Sequence, residues 1–197
     1  MSFLQLKSSC IPLAMDNASV QEIVPARVSQ DTSNVKFDGK LFYDHRDVKD
    51  ETVKTDFVLD NPAYAGHILL TGANFGVGTP AASELLSLLD FGIKAIVASS
   101  FDSAFKAVAE NLGLVLIEVP TTLLQNLMIA VYTNPRLAVN IDLSTQTLTV
   151  ADLNLTYHFP FNPFQMLCQL QAVPTMDILT SLEKTLSEFK TVCAFPI

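Results

Sequence analysis

Between residues 67 and 119 the chain repeats one rhythm: a short apolar run, a turn, a helix with its own stop signal, and another apolar run. His67-Ile68-Leu69-Leu70 is the first run, Ala95-Ile96-Val97-Ala98 the second and Leu114 to Val119 the third. Thr79-Pro80 is expected to open the first intervening helix, threonine as N-cap and proline at the first helical position, and Gly92 to stop it. Ser103 to Asn111 is the second helix, with Gly113 as its stop. Two strand–helix–strand units in succession imply a parallel sheet with right-handed crossovers.

The flanks complete an α/β chain with an added β layer. Pro120 begins a further helix through Leu123, Leu124, Leu127, Met128 and Val131, which Asn134-Pro135 ends. Ala138 to Leu143 and Thr147 to Leu153 alternate around Ser144-Thr145-Gln146 as a hairpin does, and Leu155 to Phe159 adds a strand. Residues 1–64 look polar and irregular, with loop-forming clusters at Asp31-Thr32-Ser33-Asn34 and from Asp47 to Thr55. Two helices, from Pro163 to Ala172 and from Thr175 to Lys190, are expected to close the chain. The whole is predicted as one domain over 1–197, divided into 1–64, a core over 65–160 and a helical extension over 161–197.

Composition narrows the possible partners. With 197 residues, 49% apolar and 16% charged, the chain has a substantial core to bury and is not disordered. Twelve Lys and Arg against twenty Asp and Glu give a net charge of −8, the wrong sign for neutralising phosphates along nucleic acid. No apolar stretch reaches the roughly 18 residues of a membrane span. Met1 to Met15 carries one lysine and no sustained apolar run, so a cytoplasmic protein is expected. Cys10, Cys168 and Cys193 are far apart, and His45, His67 and His158 lack metal-binding spacing, so no metal site within this chain is expected.

The segment richest in chemical meaning is Gly72-Ala73-Asn74-Phe75-Gly76-Val77-Gly78-Thr79. Glycines let backbone approach a ligand, and the helix that follows points free N–H groups at it, so the natural guest is an anion. Serving only a tight strand-to-helix turn is the plainer alternative. A P-loop is excluded, because Gly-Lys-Ser/Thr is absent. Gly76-x-Gly78-x-x-Ala81 matches the relaxed dinucleotide fingerprint. Its preceding loop is long, however, and Ser99-Ser100 stand where an acid should end the next strand, which leaves nicotinamide binding a distant alternative.

The same residues, taken with Leu89-x-Phe91-Gly92-x-Lys94-Ala95-Ile96-Val97-Ala98-x-Ser100-Phe101, resemble the small subunits of 3-isopropylmalate dehydratase. The resemblance extends to Ile11-Pro12-Leu13, Asn17, Ile23-Val24-Pro25, Leu41-Phe42-x-Asp44-x-Arg46, Asp56-Phe57-Val58-Leu59 and Pro62-x-Tyr64-x-Gly66. It implies an aconitase-type swivelling β/β/α domain, with a parallel βαβαβ centre, an added β layer and C-terminal helices. It also implies a large-subunit partner that holds a 4Fe–4S cluster, no cofactor in this chain, and a small dicarboxylic hydroxy acid as substrate. The pair would convert 2-isopropylmalate into 3-isopropylmalate in leucine biosynthesis, by dehydration and rehydration of the alkene.

The family's Gly-Ser-Ser-Arg-Glu, whose first serine is the base and whose arginine clamps a carboxylate, falls on Gly78-Thr79-Pro80-Ala81-Ala82. Thr79 keeps the hydroxyl and is the expected catalytic group, while Ala81 supplies no charge. Asn74, Gly76, Gly78, Thr79, Arg27 and Arg46 are the expected substrate-binding residues, with the loop from Arg27 to Phe37 shaping the pocket. His45, which replaces the family's tryptophan, is a further potential proton donor. The family's Asn-x-Asp-Thr-Asp reads Asn17-Ala18-Ser19-Val20-Gln21, and its asparagine after Ser-Phe falls on Val108. Two functions are therefore weighed: the enzyme subunit, or a catalytically impaired homologue that docks on a large subunit or binds a carboxylate.

Overall fold

The computed structural model describes residues 4–25, 41–45 and 57–161. The amino-terminal stretch, expected to be irregular, instead supplies two strands, β1 (Gln5–Ser8) and β2 (Cys10–Leu13). β1 alternates exposed and buried over only four residues, with Leu6 its one apolar member. Pro12 argues locally against a strand, yet β2 tolerates it because β2 lies at the edge of its sheet, where a missing N–H breaks no second ladder. A single helical turn, α1 (Val20–Ile23), follows and is closed by a capping box. The Ser19 hydroxyl accepts from Glu22 N at 3.2 Å, and the Glu22 carboxylate accepts from Ser19 N at 2.7 Å.

The rhythm of the centre becomes β3 (Ile68–Thr71), α2 (Ala82–Phe91), β4 (Ala95–Ala98), α3 (Ser103–Asn111) and β5 (Val115–Glu118). The four parallel strands run in the order β2-β3-β4-β5, with Cys10 opposite Ile68, Ile68 opposite Ala95 and Ala95 opposite Val115. Next come α4 (Thr121–Thr133), between Pro120 and Asn134 as expected, and the hairpin β6 (Val139–Asp142) and β7 (Thr147–Val150). The expected strand to Leu153 stops at Val150, where 151–153 turn in a 3-10 helix before β8 (Leu155–His158). These strands form a second, antiparallel sheet in the order β1-β6-β7-β8.

Alternation of side chains across the parallel strands makes three layers. Ile68, Leu70, Val97 and Ile117 face Leu124, Leu127 and Val131 of α4 and the inner face of the antiparallel sheet, with Leu6, Ile141 and Leu148. Leu69 and Ile96 face the other way, onto Leu85 and Leu88 of α2 and Phe105 and Ala109 of α3. Each such side chain fully removed from water stabilises the fold by about 1.5–3 kcal/mol. The result is the expected β/β/α stack.

Helix α2 begins two residues later than Thr79-Pro80 suggests. Its N-cap is Ala81, which has no side-chain oxygen to offer, and the Glu84 carboxylate accepts from the Ala81 N–H at 2.8 Å. That reciprocal bond from the third helical position fixes where the helix starts. The helices expected over 163–172 and 175–190, the loop from Arg27 to Phe37, and residues Arg27, Arg46, Cys168 and Cys193 lie outside the described residues.

Candidate functional site

Three loops leave the carboxyl ends of β2, β3 and β4 side by side and are laced together by backbone. Asn17 N donates to Ala73 O at 2.8 Å, Gly72 N to Met15 O at 3.0 Å, and Gly76 N and Val77 N both to Ala18 O at 2.8 and 3.1 Å. From the other flank Phe75 N donates to Ser100 O at 3.1 Å, and Asp102 N returns to Phe75 O at 3.0 Å. Side chains add to the lacing. The Asp16 carboxylate accepts from Ala73 N at 2.7 Å and the Ser100 hydroxyl from Asn74 N at 2.8 Å. The carboxyl ends of parallel strands are where open α/β sheets bind ligands.

The two glycines of the loop do different work. Gly76, at φ +86°, is buried with its backbone against the Phe105 ring, and a Cβ there would stand 2.2 Å from Phe105 Cγ. Phe75 meets Phe105 edge-on at 5.3 Å between centroids, and Phe101 stacks on Phe105 at 6.5 Å, so Gly76 completes an aromatic anchor beneath the loop. Its N–H is committed to Ala18. Gly78, at φ +124°, is exposed, and a Cβ there would meet nothing within 4 Å. Open backbone of that kind is what a ligand or partner can approach.

Thr79, Ala81 and Ala82 are exposed beside Gly78, so the turn lies open rather than beneath packed side chains. Among the described residues no hydrogen bond occupies the N–H of Gly78 or Thr79. Asn74 is exposed at the loop's crest with φ +53°, and its Nδ2 donates to Asn17 Oδ1 at 3.0 Å. Asn17 carries the same left-handed backbone, φ +54°. The structure thus gathers Asn74, Gly76, Gly78 and Thr79 on one loop and brings Asn17 and Ser100 to it. Neither of those two was expected at the site, because each joins it across a long sequence separation.

His45 is exposed and stacks on Phe57, with centroids 6.0 Å apart and planes 13° from parallel. The Glu22 carboxyl lies below its usual pKa, chiefly because the Ser19 N–H and hydroxyl donate to it, with a further pull from His45. Cys10 is buried, and burial pushes its thiol up to about 12. Among the described residues no three His, Cys, Asp or Glu side chains gather as a metal site, and no helix is long and apolar enough to cross a membrane. A cavity of about 390 Å³ beside Gly66 and His67 lies at the opposite, amino ends of the strands.

This layered fold, with its glycine turn open at the strand ends, is that of the swivelling domains of aconitase type. The chain belongs to the aconitase C-terminal domain family, whose sequence pattern matches residues 1–122. Its relatives narrow the class to 3-isopropylmalate dehydratase small subunits. That of Cytophaga hutchinsonii is 30% identical over 188 residues, covering 95% of this chain and 94% of its own. That of Christiangramia forsetii is 31% identical, covering 95% and 92%. The crystal structure of 3-isopropylmalate dehydratase (leuD) from Methanocaldococcus jannaschii shares the fold with a TM-score of 0.60 at 17% identity, over 92% of this chain and 98% of that one.

Proposed function

We propose that this chain is the small subunit of a 3-isopropylmalate dehydratase, acting with a large subunit to interconvert 2-isopropylmalate and 3-isopropylmalate in leucine biosynthesis. The observation that carries this reading is similarity from end to end, since relatives of that name align over 95% of the chain. The complex works in the cytoplasm and engages neither nucleic acid nor membrane. Its substrate, a small dicarboxylic hydroxy acid, sits at the exposed turn formed by residues 78–82. Arg27 and Arg46 are further carboxylate partners in this reading.

Thr79 takes the place of the proton-abstracting serine. Negative charge on its hydroxyl, or on a substrate carboxylate, is met by the N–H groups of Gly78 and Thr79 and by the start of α2. The large subunit supplies a 4Fe–4S cluster, whose iron is the Lewis acid for the departing hydroxyl. Cys10, the described cysteine, does not fit such a cluster, being buried with a thiol held protonated to about pH 12.

Ala81 leaves the carboxylate without its arginine. Losing one partner of a desolvated, charge-assisted pair is worth about 2–5 kcal/mol, or about thirtyfold to several thousandfold in rate. The test is alkene formation from 2-isopropylmalate by the chain and a large subunit mixed anaerobically. It compares wild type with the triple variant Thr79→Ser, Pro80→Ser, Ala81→Arg. Slow turnover that the variant accelerates by that factor is expected. No wild-type turnover with an active variant would leave a non-catalytic, carboxylate-binding homologue. Equal rates would place the clamp elsewhere.

A further inference from the structure

We infer that Asn17 and Asn74 together read the hydroxy-acid end of the substrate, a role that rests on the function proposed above. Both residues hold left-handed backbone, at φ +54° and +53°, on loops leaving adjacent strands, and both are exposed. Their side chains share one hydrogen bond, Asn74 Nδ2 to Asn17 Oδ1 at 3.0 Å. Left-handed non-glycine residues persist where the surroundings hold them, and they concentrate at ligand-binding sites.

One bond between two amides uses one N–H and one lone pair, and leaves the NH₂ group of one residue and the carbonyl oxygen of the other wholly unpaired. Here these are the Asn17 Nδ2 group and the Asn74 Oδ1 oxygen, neither of which has another partner among the described residues. Exchanging the two amide orientations leaves the same pair with the residues swapped. A free donor beside a free acceptor matches a 2-hydroxy acid, whose carboxylate oxygen accepts and whose hydroxyl donates. The loop is braced for this. Asn74 N is held by the Ser100 hydroxyl and Ala73 N by the Asp16 carboxylate, so the amides are presented from backbone that is already fixed.

Asn17→Gly and Asn74→Gly remove one side chain each while keeping a residue that adopts this backbone without strain. In the complex with the large subunit, each is expected to raise KM for 2-isopropylmalate about tenfold to a hundredfold, the worth of one hydrogen bond to a charged or buried group. The variant lacking the hydroxyl's acceptor should leave KM for the alkene, which has no hydroxyl, unchanged. The variant lacking the carboxylate's donor should raise both. Equal effects of both variants on both substrates would mean that the pair only holds the loop, and KM within twofold of wild type in each variant would also overturn the inference. A wild-type complex without turnover would remove the proposed activity but not the second readout. Titrating 2-isopropylmalate into the complex carrying the ¹⁵N-labelled full chain must move the side-chain amide resonances of Asn17 and Asn74. Unmoved resonances at saturation overturn the reader.

Discussion

Replacing Gly76 with alanine should destabilise the protein far more than the same change two residues later. At Gly76 two penalties combine. A φ of +86° is disfavoured for any residue with a Cβ, by about 1–2 kcal/mol, and the new carbon would lie 2.2–2.6 Å from Phe105 ring and Cβ atoms. Phe105 is fully buried between Phe75 and Phe101, so it cannot yield without disturbing both, and overpacking of this kind costs about 1–3 kcal/mol. The sum for Gly76→Ala is about 2–5 kcal/mol. Gly78→Ala meets nothing within 4 Å, so only the backbone penalty remains, about 1–2 kcal/mol. Urea unfolding of the full chain, followed by circular dichroism, measures both as shifts in midpoint at constant slope. Phe105→Ala should lessen the loss in the Gly76→Ala background, because it removes the ring atoms that the new carbon meets and the two changes share one contact. A Gly76→Ala midpoint no lower than that of Gly78→Ala would refute the argument that Phe105 seals the loop from beneath.

Ala81→Ser should stabilise the chain by about 0.5–1 kcal/mol in the same assay, because serine completes the capping box that Glu84 already half forms. Asp142, which accepts from Gln5 Nε2 and from the Ser144 and Thr145 amides, has a carboxyl held below its usual pKa chiefly by the Thr145 N–H. A folded pKa below the unfolded value of about 3.9 gives stability present above that pH and lost as the pH falls towards the folded value. Asp142→Asn should therefore flatten the acid limb of a stability profile measured between pH 7 and pH 2. Cys10, with its thiol raised to about 12, should resist alkylation at pH 8 in the folded chain and react on unfolding, as peptide mapping would reveal.

The parallel centre was legible because its punctuation is local: Pro120, Asn134, Gly92 and Gly113 sit where the helix ends fall. β1 and β2 were not, since Gln5 to Ser8 is too short for a period and Pro12 speaks against a strand until its edge position is known. The start of α2 went astray because Thr79-Pro80 and Glu84 both offer a beginning, and the carboxylate bond to Ala81 decides. At the candidate site the glycine loop stood out by composition. The separate duties of Gly76 and Gly78 did not, for they depend on whether Phe105 of a later helix lies beneath. Asn17 and Ser100 reach the loop across 57 and 26 positions of chain, a distance that no local pattern encodes.

The first strands also bear on how the chain is made. β1 and β2 follow one another with only Ser9 between, yet β1 pairs with β6 and β2 with β3, in different sheets. During synthesis the opening residues must wait for Ile68 before one half can pair and for Val139 before the other can. Assembly is thus tied to the arrival of distant sequence at the ribosome exit, and folding should be slow for a chain of this size. Removing Gln5 to Ser8 would unpick an edge of the outer sheet, a seam whose two sides leave the ribosome far apart in time.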